Sequence, residues 1–593
     1  MSKYLLRRTL ISIPVLVGIS AVLFTILALA PGDPFEELAT NPNVPAEVRL
    51  NLRAKFGLDD PLPVRYARWV TSMVRGDWGF SFVSRVDVDT LILQRLPATL
   101  VVLGSALLLA ILIAVPIGTY SALRPYSIFD QVATTFAFIG FSLPTFFTGL
   151  LFILIFSIYL DWLPFIYRAD ISASGWRWYW EHVRQSIMPV AVLGLFQASA
   201  TTRFMRAAVL DVIRLDYVNT ARAKGLSERT TLVKHVVRNA LIPVVTLVAL
   251  QIPTIFGGPR RRPPLRLARP ADLVPMTPEG MAGAERRRVA PVAGLSAAEP
   301  SPSLWRETGR RFLRHRLATV GAAVLVVMVV GVVAGPLVWR VPVNEIDFKA
   351  KLRTPSWSHP LGTDDLGQDL LARMLYGGRI SLAVGIVAML IAISIGTAIG
   401  ATTGYVGGTV DHTLMRITDM FLSLPGLPLL LLIVYLFRDA LRKALGPEAG
   451  VFILIVAVIG GLRWMPVARL VRAQFLSLRE KEFVEAARGL GAPPLRQVVR
   501  HILPNSMGPV IVAGTIDVAA AIIAESTLSF LGLGFPPDIP TWGRLLFDAK
   551  DNLDFAPHWA IFPGTAIFLT VLSINYIGDG LRDALDPRKV LAR

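Results

Sequence analysis

The sequence of 593 residues contains no cysteine. Disulfides, thiolate metal sites and cysteine nucleophiles are therefore excluded. It also contains no Gly-x-x-x-x-Gly-Lys-Ser/Thr segment, so it cannot hold nucleotide phosphates in that kind of loop. The seven histidines are scattered without the spacing of a metal site, and no nucleophile and base form a recognisable motif. These absences predict a protein that is not an enzyme and that carries no cofactor or metal.

Charged residues are also scarce. They make up 17% of the chain, whereas a soluble protein carries about a quarter. Hydrophobic residues reach 53%, and the mean hydropathy is +0.55. The net charge of +18 admits either a nucleic-acid partner or cationic loops that face the anionic cytoplasmic leaflet. In so apolar a chain the second interpretation is favoured. We therefore expect contact with membrane lipid, not with nucleic acid, and a location in the inner (plasma) membrane.

Long apolar runs are abundant, and most approach the length needed to cross a bilayer. Only helices and closed barrels satisfy their backbone groups in lipid, and runs this long fit helices. The sequence therefore predicts an all-α polytopic membrane protein with about 10–11 transmembrane helices. Arg7 and Arg8 precede the first run, which places the N-terminus in the cytoplasm. The runs lie at about 9–30, 98–120, 133–160, 187–205, 317–339, 380–403, 417–437, 451–470, 508–524 and 558–580.

One polar loop occurs twice, in register. A constant shift of 266 positions superposes six identical residues of the two copies. So many matches at one shift indicate two related membrane units in one chain. The superposed pairs are Ala221 and Ala487, Arg222 and Arg488, Gly225 and Gly491, His235 and His501, Asn239 and Asn505, and Pro243 and Pro509.

Each copy of the loop begins as a short helix of small residues and ends at Gly225 or Gly491, which suits the left-handed cap of a helix. Small side chains allow another protein to approach the backbone closely, and neighbouring cations supply polar anchors. An amphipathic helix on the membrane surface would explain one such loop. It would not explain the recurrence of glycine, histidine and asparagine in register, so a docking site for a partner protein is the favoured interpretation.

The recurring loop resembles the cytoplasmic Glu-Ala-Ala…Gly loop of ABC importer permeases, whose short helix sits in a cleft of the ATPase subunit. Glu485-Ala486-Ala487 with Gly491 matches directly, and Asn219-Thr220-Ala221 with Gly225 matches the variant of the dipeptide/oligopeptide/nickel group. The resemblance implies that the following residues dock ATPases: Asn219, Thr220, Ala221, Arg222, Ala223, Lys224, Gly225, Glu485, Ala486, Ala487, Arg488, Gly489 and Gly491.

Further motifs resemble the two permease types of that group. The first half is similar to the B-type subunit through Gly57-Leu58-Asp59 and Thr220–Leu226. The second is similar to the C-type through Leu361-Gly362-Thr363-Asp364 and Leu528–Gly534. The resemblance implies two type I ABC importer transmembrane domains fused in one chain, two ABC ATPase partners, an extracytoplasmic binding protein and a peptide substrate. An ion-coupled secondary transporter, or a transport-incompetent fused permease that acts as a scaffold, are the alternatives.

The two units are unequal. Residues 1–257 form the first unit, 258–316 a basic linker rich in proline, glycine and arginine, and 317–593 the second unit. After Pro243 the first unit lacks about 70 residues that the second has after Pro509. The hypothesis that accounts for this loss is a fusion of two neighbouring reading frames in which the end of the first was lost or frameshifted. Each docking loop follows four spans of its unit and must reach the cytoplasm, so the arginine-rich linker between the units must also lie in the cytoplasm. We therefore expect Leu241–Gly257 to re-enter the membrane without crossing or to pack abnormally.

Polar residues within spans mark candidate positions of a transport pathway. We select Gln197, Asp517 and Glu525, the last two lying eight residues apart on one helical face. Pairing with an arginine of a neighbouring span, or a place near the interface, is an equal alternative for the two acids. Pro144 and Pro425, each in a Ser-Leu-Pro sequence, predict equivalent kinks in the two units.

Overall fold

The structure is a computed structural model, and it describes residues 2–31, 59–81, 84, 86–166, 168, 174–255 and 304–585. Helices dominate these residues. The β-strands that they contain are β1 (Phe80–Ser81) and β2 (Val86–Asp87), which form one short antiparallel hairpin. The predicted all-α class is therefore confirmed.

The first unit begins with α1, which is followed by a short helix, α2, on the far side of an undescribed segment. The helices of the first unit are α1 (Ser2–Ala28), α2 (Leu62–Val74), α3 (Val88–Leu123), α4 (Ile128–Ser142), α5 (Thr145–Phe152), a π-helical continuation (Ile153–Tyr159), α6 (Trp176–Val212), α7 (Asp216–Ala223), α8 (Glu228–Thr230), a π-helical turn (Thr231–Val237) and α9 (Arg238–Ile255).

The second unit repeats this order and then continues further. Its helices are α10 (Leu304–Arg314), α11 (Arg316–Val338), a 3₁₀ turn (Phe348–Ala350), α12 (Leu370–Val406), α13 (Gly408–Ser423), α14 (Gly426–Leu445), α15 (Pro447–Gly461), α16 (Trp464–Leu478), α17 (Glu482–Gly489), α18 (Pro494–Arg496), a π-helical turn (Gln497–Ile502), α19 (Leu503–Phe530), α20 (Trp542–Ala549), a second 3₁₀ turn (Lys550–Asn552) and α21 (Pro557–Leu585). Helix α10 lies inside the segment predicted as a linker.

Many of these helices have the length and composition of membrane spans. Within the described residues six helices are long and apolar enough to cross a membrane, and counting each bent pair as one span gives up to nine. The pair α4–α5 bends by 101° and the pair α13–α14 by 83°. Pro144 and Pro425 lie at these two bends, because the residue before a proline is driven into extended backbone. The predicted equivalent kinks are confirmed.

The long helix α12 organises the second unit. Its 37 residues extend about 55 Å at 1.5 Å per residue. It runs beside α16 in the same direction, since Gly396 faces Val467 and Gly404 faces Phe475. A Cβ at Gly396 would lie 2.6 Å from the Cβ of Val467, so the small residue permits this close packing. The beginning of α12 and the loop after α16 therefore lie at opposite ends of the unit.

The two units meet through helices that cross between them. Helix α21 of the second unit packs against α4 and α5 of the first. Asn575 Nδ2 donates a hydrogen bond to Ser142 Oγ at 3.0 Å, and the rings of Phe138 and Tyr576 lie 5.4 Å apart. In the opposite direction, α1 packs on α13, where Gly18 faces Met420. Each unit thus contributes a helix to the surface of the other.

The segment after the first docking loop is helical. Residues 241–255 belong to the continuous helix α9, which packs mainly on α6 and less on α3, whereas its counterpart α19 packs mainly on α12. The helical segment Glu228–Ala249, which includes the first part of α9, has the length and hydropathy of a membrane span. Whether Leu241–Gly257 crosses the membrane, re-enters it or packs abnormally stays a prediction.

Candidate functional site: two docking helices

Helix α7 carries the first predicted docking loop. Asp216 in its first turn and Arg222 in its last turn both favour the helix dipole. The helix ends in a Schellman motif, in which the Leu226 N–H donates to the Ala221 carbonyl and the Gly225 N–H to the Arg222 carbonyl. Gly225 adopts a φ of +77°, the left-handed conformation that the sequence predicted.

Helix α17 repeats this geometry in the second loop. Glu482 and Glu485 lie in its first turn and Arg488 in its last. The Ala492 N–H donates to the Ala487 carbonyl at 3.0 Å, and Gly491 also adopts a φ of +77°. The predicted left-handed caps are confirmed in both units.

One face of each docking helix is buried against its own unit. Val218 and Val484, which the 266-residue shift superposes, have no exposed surface. Val218 belongs to one buried cluster with Met205 and Val209 of α6 and Val236 of the π-helical turn, and Val484 belongs to another with Phe475 of α16 and Ile502 of the second π-helical turn. The next helical turn adds one buried alanine in each copy. These two predicted docking residues, Ala221 and Ala487, therefore anchor the helices.

The remaining eleven predicted docking residues are exposed. They form the outer faces of the two helices and the caps that follow them, so a partner could reach them in both units. The exposed residues are Asn219, Thr220, Arg222, Ala223, Lys224, Gly225, Glu485, Ala486, Arg488, Gly489 and Gly491.

The repeated histidine and asparagine have a structural role. In each unit the histidine lies in a π-helical turn and the asparagine follows that turn. The π-helical hydrogen-bond pattern leaves a backbone carbonyl of the turn to accept a hydrogen bond from a side chain. Asn239 Nδ2 donates to the His235 carbonyl at 2.7 Å and to the Tyr217 hydroxyl at 3.1 Å. Asn505 Nδ2 donates in the same way to the His501 carbonyl at 2.6 Å. The turn that follows each docking helix is thus fixed by the same side chain.

A matched pair of charges lies beside each docking helix, and sequence reasoning missed both pairs. Arg206 of α6 forms a bidentate ion pair with Asp130 of α4, with both N–O distances 2.7 Å. Arg472 of α16 forms the equivalent bidentate pair with Asp411 of α13. The arginines are related by the 266-residue shift of the docking loops, and the aspartates by the 281-residue shift of Pro144 and Pro425. Those shifts were the signal that could have found the pairs.

The acids selected as pathway positions have different environments. Asp517 forms an ion pair with Arg463 at 2.7 Å. This agrees with the alternative in which the acid pairs with an arginine of a neighbouring helix. Glu525 has no exposed surface and accepts hydrogen bonds from Ser529 at 2.8 Å and Ser381 at 3.2 Å. In this conformation it therefore links α19 to α12.

The third position, Gln197, is half-buried on α6. The structure does not bring it together with Asp517 or Glu525 through any contact of the described residues. A role of these three side chains in transport stays a prediction.

Comparison with protein families gives the identity of both units. The family described as "Binding-protein-dependent transport system inner membrane component" matches residues 114–258 and again residues 396–590. The chain belongs to this family. Its permease units differ at their N-terminal ends. The "N-terminal TM domain of oligopeptide transport permease C" matches residues 303–355, and the N-terminal domain of the transport-system membrane component matches residues 1–103. The predicted fusion of two permease types in one chain is therefore confirmed.

Individual relatives each correspond to about half of this permease. The oligopeptide transport system permease protein OppC of Haemophilus influenzae is 39% identical over 288 residues, which cover 48% of this chain and 89% of that protein. The OppC protein of Escherichia coli K12 is 40% identical over 288 residues, covering 48% and 92%. The oligopeptide permease AppB of Bacillus subtilis is 40% identical over 260 residues, covering 44% and 81%.

Proposed function

We propose that this permease forms the membrane channel of an ATP-driven peptide importer, with one ABC ATPase docking on α7 and another on α17. The observation that carries the proposal is the matched geometry of these helices. Both end in the same left-handed cap, both bury the same valine, and both expose their outer faces. Relatives named as oligopeptide and dipeptide permeases support peptides as the substrate, delivered by an extracytoplasmic binding protein.

The mechanism follows from the anchoring of the docking helices. ATP binding draws the two ATPases together and displaces α7 and α17. Since Val218 and Val484 are packed against α6 and α16, those longer helices move with them. The spans then change access from the outer to the inner side of the membrane. Hydrolysis takes place in the ATPases, while this chain binds them and transmits their movement.

Residues 1–257 and 317–593 are proposed as the two halves of the channel, with the N-terminus in the cytoplasm. The basic segment 258–316 joins them. Helix α10 occupies the last part of this segment and directly precedes α11. This division assigns one docking helix to each half.

Site-specific cross-linking tests the docking sites, and the absence of native cysteine makes each added cysteine unique. The chain would be co-expressed with the ABC ATPases of the same organism's peptide importers. Ala223→Cys and Glu485→Cys should each cross-link to an ATPase in membranes. Leu366→Cys is the matched control, because this exposed residue lies before α12, at the end opposite α17. Equal cross-linking at all three positions would contradict the docking assignment.

Uptake of labelled peptide into proteoliposomes tests transport. The complete complex should import peptide with ATP, and ATPases that carry a substituted phosphate-loop lysine should abolish import. Uptake that persists with inactive ATPases and collapses with a protonophore would instead support an ion-coupled transporter.

A scaffold without transport activity is a second candidate function. Between Pro243 and the arginine-rich segment the first unit has no sequence that corresponds to α20 and α21. Cross-linking of both ATPases without any peptide uptake would support this candidate.

A further inference from the structure

The two ion pairs beside the docking helices connect the docking helix of each half with a helix that touches the other half. Arg206 lies on α6 between Met205 and Val209, which share one buried apolar cluster with the docking valine Val218. Its partner Asp130 is 3% exposed and lies in the first turn of α4. Helix α6 therefore holds the docking helix with apolar contacts and α4 with a charged contact within one turn.

The second half has the same construction. Val471 and Phe475 of α16 share one buried apolar cluster with Val484, and Arg472 lies between them in sequence. It holds Asp411, which is 8% exposed in the first turn of α13. A bidentate arginine–carboxylate pair fixes both distance and orientation, so it transmits a displacement better than a single contact.

The helices that carry the two aspartates reach across to the opposite half. Helix α4 contacts α21 through Phe138 with Tyr576 and Ser142 with Asn575. Helix α13 contacts α1 through Met420. A movement of either docking helix can therefore pass through an ion pair to the other half.

We infer that Arg206–Asp130 and Arg472–Asp411 are positioning pairs that couple each docking helix to the opposite half of the channel. This inference rests on the proposed function and deepens it. The contact of α4 with α21 includes a hydrogen bond and an aromatic pair, whereas that of α1 with α13 is apolar.

Coupling is measured as peptide imported per ATP hydrolysed in proteoliposomes with both ATPases. Asp130→Asn should lower this ratio about 5- to 150-fold, the range typical of coupling between two sites. ATPase binding should be retained, since α7 is anchored by Val218. The reversed pair, Asp130→Arg with Arg206→Asp, should recover most of the ratio. Asp60→Asn, which removes the exposed ion pair with Arg68, is the control and should leave the ratio unchanged.

A second measurement on the full chain without ATPases separates this inference from the proposed function. Spin labels at Ala223→Cys on α7 and Ile128→Cys on α4 report the distance between the two helices. The distribution should be narrow in the unmodified chain, broad with Asp130→Asn and narrow again with the reversed pair. An unchanged width with Asp130→Asn would overturn the inference even if no ATPase bound. An unchanged import ratio would overturn it as well.

Discussion

The left-handed caps of the docking helices allow a quantitative test. Gly225 and Gly491 both have a φ of +77°, and a Cβ built on either would meet no atom within 4 Å. Replacement by alanine would therefore cause no clash and would add only the backbone strain of the left-handed conformation. That strain is about 1–2 kcal/mol for a residue with a Cβ. In the open form of the loop this residue is not held in the left-handed conformation. The substitution therefore favours opening of the loop by the same free energy.

Hydrogen exchange of the docking-helix amides measures this difference directly. Local opening of α17 should become about 5- to 30-fold more frequent in Gly491→Ala, because 1–2 kcal/mol corresponds to that factor. Gly225→Ala should have the same effect on α7. Gly489→Ala is the matched control. This glycine is the last residue of α17 and also has no atom within 4 Å of a built Cβ. Alanine there favours the helix by up to about 1 kcal/mol and should slow exchange.

Two exchange results would contradict a role of the left-handed cap. If Gly491→Ala exchanged at the unmodified rate, the left-handed cap would not limit opening of the loop. If Gly489→Ala accelerated exchange as much as Gly491→Ala, the effect would come from any added side chain and not from the backbone conformation.

Three further substitutions test how much individual buried side chains contribute to the stability of the fold. Val484→Ala should lower the free energy of unfolding by about 2 kcal/mol, because the side chain is fully buried, and thermal denaturation measures the loss. Glu525→Gln keeps an acceptor oxygen for the serine hydroxyls and should be tolerated, whereas Glu525→Ala should cost about 1–3 kcal/mol; comparable melting temperatures would contradict this. Asp364→Asn would leave the guanidinium of Arg373, 3.1 Å away and 4% exposed, without its carboxylate, and should cost about 3–5 kcal/mol in denaturant unfolding. Unchanged stability would show that another group compensates.

The sequence was sufficient for features that depend on local chemistry. Gly225 and Gly491 predict left-handed caps because glycine adopts positive φ without strain, and Pro144 and Pro425 predict bends because proline restricts the residue before it. The repeat itself needed only comparison of the chain with its own second half. Helical class followed from the length of the apolar runs.

Features that depend on which helices become neighbours were beyond that reasoning. Asp130 and Arg206 are 76 residues apart, so only packing of α4 on α6 makes them partners. Asp517 and Glu525 share a helical face as predicted, yet one faces Arg463 and the other faces serines. Helical periodicity predicts the face of a helix on which a residue lies. It does not predict which residues of a neighbouring helix pack against that face.

The unequal length of the two halves has a visible consequence in the positions next to the charged pairs. The 266-residue shift superposes Arg203 on Arg469. Arg203 lies over the ring of Phe138 and 4.0 Å from Asp579 of the opposite half, on helix α21. The first unit has no sequence corresponding to α21 before the arginine-rich segment, so no equivalent of Asp579 follows from the repeat for Arg469.

Arg469 instead pairs with Asp419 of its own half, at the position that the 281-residue shift superposes on Phe138. One half thus satisfies its arginine across the interface and the other satisfies it internally. Both side chains of this pair are largely exposed, 38% for Arg469 and 55% for Asp419, so the pair contributes at most about 1 kcal/mol to stability. The repeat therefore keeps the arginine in both halves but changes its partner, from the opposite half for Arg203 to its own half for Arg469.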